Sequence, residues 1–257
     1  PLREKLKGMN VALVECPVYI RETIDEMKHL LPEMKKVVLI SDGLYESAQV
    51  RKKMRHVCQE YFPELEVSYF TEGRMTMDQM LDSIYSSDIN QVGLLYFSWV
   101  QLEKIANNRY FSANSHKAIS DCDNHPIFAL EDIGIHDGDM AGGYFYLGRD
   151  LAHTVAQTLR DIRNGKEVKE IPVQMAGKPG YYLSYPILQK AGIPTSLYPD
   201  NAVYLLAPEG FWERARYMVF AIAVLLVITY LLWGQVRLMK KERISREREL
   251  QLLQKYK

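Results

Sequence analysis

Polar side chains follow a series of short apolar runs in the first part of the chain, at the points where the runs end. These residues are Glu15, Ser41, Asp42, Thr71 with Glu72, Ser98, Trp99, Glu131 and Asp132. If the runs are strands of one parallel sheet, the residues share its carboxyl edge, beyond which open α/β sheets bind ligands. We therefore predict a ligand-binding site there. A second interpretation is that these side chains only turn the chain and cap the helices that follow.

A glycine-rich stretch at 139–143 precedes a helix that begins near Gly148. Its backbone N–H groups could face an anion, but the stretch lacks both G-x-G-x-x-G and a P-loop lysine. We favour a tight turn at which backbone segments approach closely. Metal-ligand residue types also cluster nearby, and their spacing matches neither a zinc site nor a calcium loop. They are Asp121, Cys122, Asp123, His125, His136, Asp137 and Asp139.

No local motif combines a nucleophile, a base and an orienting group, although such triads assemble in space and need not be adjacent in sequence. Asp42 after an apolar run has the setting of a phospho-acceptor aspartate, but we place this segment outside the cell, where no ATP-linked phosphotransfer reaches it. We predict no metal, no cofactor and no enzymatic activity within these 257 residues.

The elements that must position the strand-end residues alternate along the chain, which indicates βαβ units and a parallel sheet, the α/β class. Runs without polar alternation fit strands that are covered on both faces. The predicted strands are 11–15, 36–40, 65–70, 92–97 and 126–130. The predicted helices are 20–31, 46–61, one opened by a capping box at Thr76 to Gln79, and one carrying Leu147, Leu151, Val155, Leu159 and Ile162 that ends at Asn164-Gly165.

After Gly165 the sequence changes, because prolines interrupt it at short intervals. We interpret this part as an irregular closing segment with one short helix at 185–191. Tyrosines are dense here, at Tyr181, Tyr182, Tyr185, Tyr198 and Tyr204. They either line a ligand cleft or pack the segment onto the sheet, and we favour packing.

The stretch from Tyr217 to Val236 contains no charged residue. That is the length, about 20 residues, with which an α-helix crosses a bilayer. Basic residues are concentrated after it, so the positive-inside rule places the C-terminal flank in the cytoplasm and the preceding domain outside. These residues are Arg237, Lys240, Lys241, Arg243, Arg246 and Arg248. We predict a bacterial inner-membrane protein with a periplasmic or extracellular N-terminal part, rather than a soluble protein in which this helix is buried in the core.

Composition excludes several classes of protein. The 32 basic and 32 acidic side chains balance, and the basic cluster is explained by membrane topology, so we predict no nucleic-acid partner. Three cysteines, Cys16, Cys58 and Cys122, are too few for a disulfide framework, and at least one stays unpaired. The chain begins with Pro1 and no export signal and stops within a charged helix. We expect it to be an internal piece of a longer protein.

Several segments together resemble the type 1 periplasmic-binding-protein-like domains of the ABC substrate-binding kind, in the version used as outer sensors of bacterial membrane histidine kinases. The resemblance covers about Val11 to Arg216. It is carried by Glu22-Thr23-Ile24, Leu31-Pro32-Glu33, the run from Val37 to Asp42, Gly134, Gly138 to Gly143, Gly148, Asn164-Gly165, Ile171-Pro172-Val173, Tyr185 to Pro194, Pro199 and Phe211-Trp212.

This resemblance implies a fold of Rossmann-like lobes that close on a small-molecule ligand, with much of the first lobe lying upstream of Pro1. Together with the apolar stretch, it divides the chain into a sensor domain at 1–212, a transmembrane helix at 213–236 and a cytoplasmic helix at 237–257. It also implies a downstream kinase region and a response regulator as partners, and the helix that continues the span leads us to expect a homodimer.

The cytoplasmic helix and the output each allow more than one interpretation. Ile244, Leu250 and Leu253 either begin a coiled-coil pattern or belong to a solvated basic helix. The output could equally be a diguanylate cyclase or a chemoreceptor signalling domain. An anchored extracytoplasmic enzyme, or a degenerate binding fold that recognises a partner protein, would also fit the pattern of the sequence.

Overall fold

The computed structural model describes residues 8–71, 74–99, 115–121, 124–208 and 211–255, and within the last range the side chains of 219–241, 243 and 246. The chain divides into two compact units, 1–207 and 208–257. The strands of the first unit are β1 (Val14–Glu15), β2 (Lys36–Ser41), β3 (Glu66–Thr71), β4 (Val92–Tyr96), β5 (Ile127–Ala129), β6 (Gly142–Phe145), β7 (Gln174–Met175), β8 (Gly180–Ser184) and β9 (Val203–Leu205).

The helices of the first unit are α1 (Ile20–Leu30), α2 (Tyr45–Tyr61), α3 (Met77–Tyr85), α4 (Ser115–Ser120), α5 (Gly148–Arg163) and α6 (Tyr185–Lys190). Two short 3₁₀ turns lie at Val168–Glu170 and Thr195–Leu197. The capping box predicted at the start of α3 is confirmed, because the Thr76 hydroxyl accepts from the Gln79 N–H and the Gln79 side chain accepts from the Thr76 N–H.

Seven strands form the main sheet, in the order β3-β2-β4-β5-β6-β8-β9. The first five are parallel, β8 runs antiparallel to β6, and β9 runs parallel to β8. A separate parallel pair joins β1 to β7. The predicted α/β class with a mostly parallel sheet is confirmed.

The central strands are buried on both faces, as their unbroken apolar runs predict. Val37 and Leu39 of β2 point into a core formed with α1 and α2. Val38 and Ile40, which alternate with them, point into a second core formed with α3 and α4. Because helices cover both faces of the sheet, the loops that follow the strands meet at its carboxyl edge.

Two sequence predictions about the later part of the first unit are wrong. Gly142 and Gly143 do not lie in a loop but begin β6, and the closing segment is not irregular, because it supplies β7, β8 and β9. The predicted close backbone approach is nevertheless confirmed: a Cβ on Gly142 would lie 2.0 Å from the Tyr182 carbonyl oxygen. Glycine therefore serves here to let β6 pair closely with β8.

The tyrosines of the closing segment pack against neighbouring rings, as we favoured. Tyr182 stacks on Phe145 with ring centroids 5.5 Å apart, and Tyr198 stacks on Tyr204 at the same distance. The Tyr204 hydroxyl donates to the Pro199 carbonyl oxygen at 2.8 Å. These contacts fix β9 and its approach to the sheet.

The second unit is one helix, α7 (Phe211–Lys255), which continues without a break. Its stretch Val219–Lys241 is long and apolar enough to cross a membrane, and its most apolar window is not buried. This stretch overlaps the predicted span at 217–236. The helical backbone runs through the predicted cytoplasmic segment to Lys255, whereas the side chains of Ile244, Leu250 and Leu253 lie outside the described ones.

Candidate ligand-binding site

The structure brings most of the predicted strand-end residues to one edge of the main sheet. Ser41 lies beside Thr71 in the β2–β3 register, and Ile40 lies beside Tyr96, which pairs in turn with Ala129. The segments that follow these strands are therefore neighbours. Glu72 lies outside the described residues.

Asp42 is fully buried, and both of its carboxylate oxygens are used within the protein. One oxygen accepts from the Leu44 N–H at 3.0 Å and from the Ser47 hydroxyl at 2.5 Å, and the other accepts from the Ser98 hydroxyl at 2.6 Å. Because Ser47 lies in the first turn of α2, Asp42 ties the start of that helix to the segment after β4. Its role in ligand binding stays a prediction.

Arg51, a residue of α2, is hydrogen-bonded to the end of β2 and to the residue that follows it. Its guanidinium donates to the Ser41 hydroxyl at 2.8 Å and to the Asp42 carbonyl oxygen at 2.6 Å. Thr71 and Trp99 are also buried, and the Trp99 ring packs in the second core. Among the described residues no acceptor meets the buried indole N–H of Trp99. Thr71 and Trp99 therefore pack within the protein at the carboxyl edge of the sheet. Their contact with a ligand also stays a prediction.

A cavity of about 270 Å³ lies at the other side of the edge, beside Glu131 and Asp132. The cavity forms where the chain leaves β1, β5 and β6. After β1 and after β6 the chain crosses between the two-stranded sheet and the main sheet. The prediction that Glu15 shares the carboxyl edge of the main sheet is wrong, because Glu15 ends β1 of the separate two-stranded sheet. It lies directly before the lining begins, and its side chain is half-buried. The lining residues are Cys16, Pro17, Val18, Leu130, Glu131, Asp132, Phe145, Tyr146, Leu147, Gly148 and Leu151.

Asp132 is engaged by groups at the start of α5 and in its own loop. One carboxylate oxygen accepts from the Gly148 N–H at 2.7 Å, and the other lies 3.1 Å from the His136 ring Nε2. A carboxylate at a helix N-terminus compensates for the helix dipole and for an N–H without an intrahelical partner. Asp132 therefore positions α5 against the loop that follows β5.

Glu131 lies at the mouth of the cavity, and its environment disfavours its charged form. Desolvation by the surrounding protein, followed by the negative charge of Glu46, raises the pKa of Glu131. Desolvation and then the charge of Glu131 raise the pKa of the exposed Cys16 thiol. The negative charges of Glu46 and Glu131 make the electrostatic potential at this side of the cavity negative.

Two tyrosines connect the segments that line the cavity. The Tyr19 and Tyr146 hydroxyl oxygens lie 2.6 Å apart, which joins the residues after β1 to those after β6. Burial and this hydrogen bond raise the pKa of Tyr19. The sequence contains no signal for the pair, because its members are 127 residues apart. Cys16 and the apolar lining were missed for the same reason.

The residues with metal-ligand side chains do not converge in the described part of the chain, where no group of three could hold a metal ion. His125 instead lies 3.2 Å from the Ser87 hydroxyl, and His116 lies 3.3 Å from Asp139. Cys122 and Asp123 lie outside the described residues.

Replacing Glu131 by glutamine is expected to accelerate alkylation of Cys16 by iodoacetamide at pH 8 severalfold. Removing the neighbouring negative charge lowers the thiol pKa, so more of the reactive thiolate is present. The rate is measured on the full chain by peptide mass spectrometry, with buried Cys58 as an internal reference. Asp82→Asn, on the exposed face of α3, is the control and should leave the rate unchanged. An equal rate in wild type and Glu131→Gln would show that the two side chains are not coupled.

No family model and no curated protein matches this sequence. Solved structures do. An ABC domain in complex with L-Trp from Streptococcus pneumonia is 12% identical with a TM-score of 0.56, and the match covers 77% of this chain and 65% of that one. A conserved domain protein from Vibrio cholerae is 13% identical with a TM-score of 0.56, at 77% and 64% coverage.

A third structure is a ligand-free, open form of a substrate-binding protein with adhesive properties from Clostridium difficile. It is 15% identical, with a TM-score of 0.55 and coverage of 78% of this chain and 64% of that one. The fold is that of substrate-binding proteins. At this level of identity the likeness concerns the fold alone, and the chain spans about 65% of the length of the structures it matches.

Proposed function

We propose that the chain is the ligand-sensing and membrane-spanning portion of a bacterial two-component sensor histidine kinase. The observation that carries the proposal is the combination of two features in one chain. A substrate-binding-protein-like fold is followed by a 45-residue helix with a stretch apolar enough to span a membrane. A binding protein that only delivers a solute needs no continuous helix of this length, whereas a receptor needs a path across the bilayer.

A small molecule is the proposed ligand, and the cavity beside Glu131 is its proposed site. The cavity lies at the carboxyl ends of parallel strands, where α/β folds bind their ligands. Two of the structural neighbours are a domain bound to L-Trp and a substrate-binding protein. No enzymatic activity is proposed for these residues.

The ligand acts by favouring one arrangement of the segments around the cavity. Because Cys16–Val18 and Tyr146–Gly148 connect the two sheets, a ligand that contacts both favours one relative position of the sheets. A differential affinity of about 1.4 kcal/mol shifts such an equilibrium tenfold. In a homodimer the shift would reach a kinase region beyond Lys257 and then a response regulator.

The orientation is tested by labelling Cys16 in intact bacteria with a membrane-impermeant maleimide. Basic residues follow the apolar stretch of α7, so Cys16 is expected to react from outside, while a cysteine introduced by Ser245→Cys reacts only after lysis. Cys16 is exposed and suits this measurement. The opposite pattern, with Cys16 protected until lysis, would place the domain in the cytoplasm and contradict the receptor.

The kinase output is tested by sequencing the gene beyond Lys257. A histidine-bearing helix followed by an ATP-binding domain is expected. A stop codon soon after Lys257, or a diguanylate cyclase, would contradict the histidine kinase and leave a membrane-anchored binding protein or a different receptor.

A further inference from the structure

The cavity beside Glu131 is apolar apart from its two carboxylates, the Cys16 thiol and the Tyr146 hydroxyl, which is hydrogen-bonded to Tyr19. Val18, Leu130, Leu147 and Leu151 supply aliphatic surface, and Phe145 and Tyr146 supply rings; Phe145 and Leu147 are almost fully buried. The walls therefore suit a compact hydrocarbon or aromatic body. At about 270 Å³ the cavity is slightly smaller than the usual ligand pockets of about 300–1,000 Å³, which favours a single-ring ligand.

The two carboxylates of the lining differ in their engagement. Asp132 is already occupied by the Gly148 N–H and lies beside His136. For Glu131 the described residues supply neither a hydrogen-bond donor nor a cation to the carboxylate, and its charged neighbour is the acidic Glu46. Glu131 is thus the acidic group of the lining that has acceptor capacity to offer a ligand.

Cationic side chains are missing from the described lining of the cavity, which contains neither lysine nor arginine. The basic groups beside the lining are already engaged, Lys53 with the Val18 carbonyl oxygen and His136 with Asp132, so a ligand carboxylate would meet the negative charge of Glu131. A ligand ammonium would instead meet the exposed Glu131 carboxylate at the protein surface, where the attraction between opposite charges is still stronger than in bulk water. Aromatic faces such as those of Phe145 and Tyr146 also attract cations.

We propose that this cavity binds a small organic amine, a positively charged nitrogen on an apolar or aromatic body without a carboxylate, with Glu131 as its counter-charge. The inference rests on the proposed ligand-sensing function and narrows its ligand to one class. Glu131 binds the ammonium at the mouth, and the apolar walls bind the body of the ligand. The class differs from the amino acid seen in the first structural neighbour, because an amino acid also carries a carboxylate.

The test compares three probes of nearly equal size on the full chain in detergent micelles. They are phenethylamine, the neutral 2-phenylethanol and the anionic phenylacetate. Dissociation constants are measured by calorimetry, and occupancy of this cavity is measured as protection of Cys16 from iodoacetamide. We expect phenethylamine to bind at least tenfold more tightly than 2-phenylethanol, to protect Cys16, and to bind far more tightly than phenylacetate.

Glu131→Gln is expected to remove the preference for the amine while leaving binding of 2-phenylethanol unchanged. Asp82→Asn removes an acidic side chain from the exposed face of α3 and should keep the preference. If Glu131→Gln does not fold, the three-probe comparison on the wild-type chain still decides the matter. Equal binding of the amine and the alcohol there, or tighter binding of phenylacetate, would overturn the amine class.

The outcomes separate this inference from the proposed function. If the alcohol or the acid protects Cys16 as well as the amine does, small-molecule binding stands and the amine class falls. If none of the three probes protects Cys16 at millimolar concentration, the amine class also falls. The receptor proposal is judged separately, by the orientation of Cys16 in intact cells and by the gene beyond Lys257.

Discussion

Gly142→Ala is expected to lower the free energy of unfolding of the α/β unit by about 4 kcal/mol, a large share of the roughly 5–15 kcal/mol that stabilises a domain. Gly142 has φ +123°, a conformation that L-residues rarely adopt. An added Cβ would also lie 2.0 Å from the Tyr182 carbonyl oxygen and 2.8 Å from the Leu183 Cα. Both contacts are with backbone, so β6 and β8 must separate to relieve them.

The full chain is unfolded with urea in micelles. The unfolded fraction is measured by alkylation of Cys58, which is buried in the core of the folded chain. Gly180→Ala is the matched control, because Gly180 lies in the same strand pair and a Cβ there would meet the Tyr182 ring at 3.5 Å, an ordinary contact. It should shift the urea midpoint much less. A midpoint in Gly142→Ala equal to that of Gly180→Ala would contradict the close approach of β6 and β8.

Asp42→Ala is expected to destabilise the same unit by about 3 kcal/mol or more. Among the described residues, the change leaves three donors without their acceptor: the Leu44 N–H, the buried Ser47 hydroxyl and the Ser98 hydroxyl. Buried donors that lose their acceptor cost about 1–3 kcal/mol each. The start of α2 would also lose its link to the segment after β4.

Asp88→Ala is the control for this change. Asp88 likewise accepts from backbone N–H groups, of Asn90 at 2.9 Å and of Gln91 at 3.3 Å, but its hydrogen bonds are exposed, so water replaces the lost bonds. Its cost should stay near 1 kcal/mol. Equal shifts of the urea midpoint in the two variants would show that burial of Asp42 adds nothing to its stabilising role.

Gly142 and Asp42 support different parts of the carboxyl edge of the main sheet. Asp42 and its donors hold together the segments after β2 and β4. Gly142 lets β6 enter the sheet, and β6 carries Phe145 to the cavity with Tyr146 directly after it. A variant at Gly142 should therefore also weaken phenethylamine binding, whereas the surface variant Asp82→Asn should affect neither property.

Elements with a strong local signal could be predicted from the sequence. The unbroken apolar runs of β2 and β4, the capping box of α3 and the Asn164-Gly165 end of α5 depend on neighbouring residues only. The spacing of apolar side chains, helix capping and chain reversal are local physical properties. The predicted bounds of these elements therefore agree with the observed ones to within a few residues. The mostly parallel arrangement followed from the alternation of the elements.

Strands β6, β8 and β9 could not be predicted in this way. Gly142 and Gly143 weaken a strand pattern when they are considered alone, and Pro179 and Pro186 enclose β8 so closely that it resembles a loop. Their strand conformation is fixed by pairing with one another and with β5, which depends on residues far away in sequence. Here tertiary pairing overrides local preference.

The sequence by itself determined the fold class, the long apolar stretch within α7 and most of the polar residues at the carboxyl edge, because each depends on a local pattern. Only the tertiary structure decided how those polar residues are used. It buries Asp42 with three donors from the described residues, joins Asp132 to the start of α5, and leaves Glu131 beside an apolar cavity. The physical reason is that a carboxylate's hydrogen bonds and solvation depend on groups contributed by distant segments, which no local pattern contains.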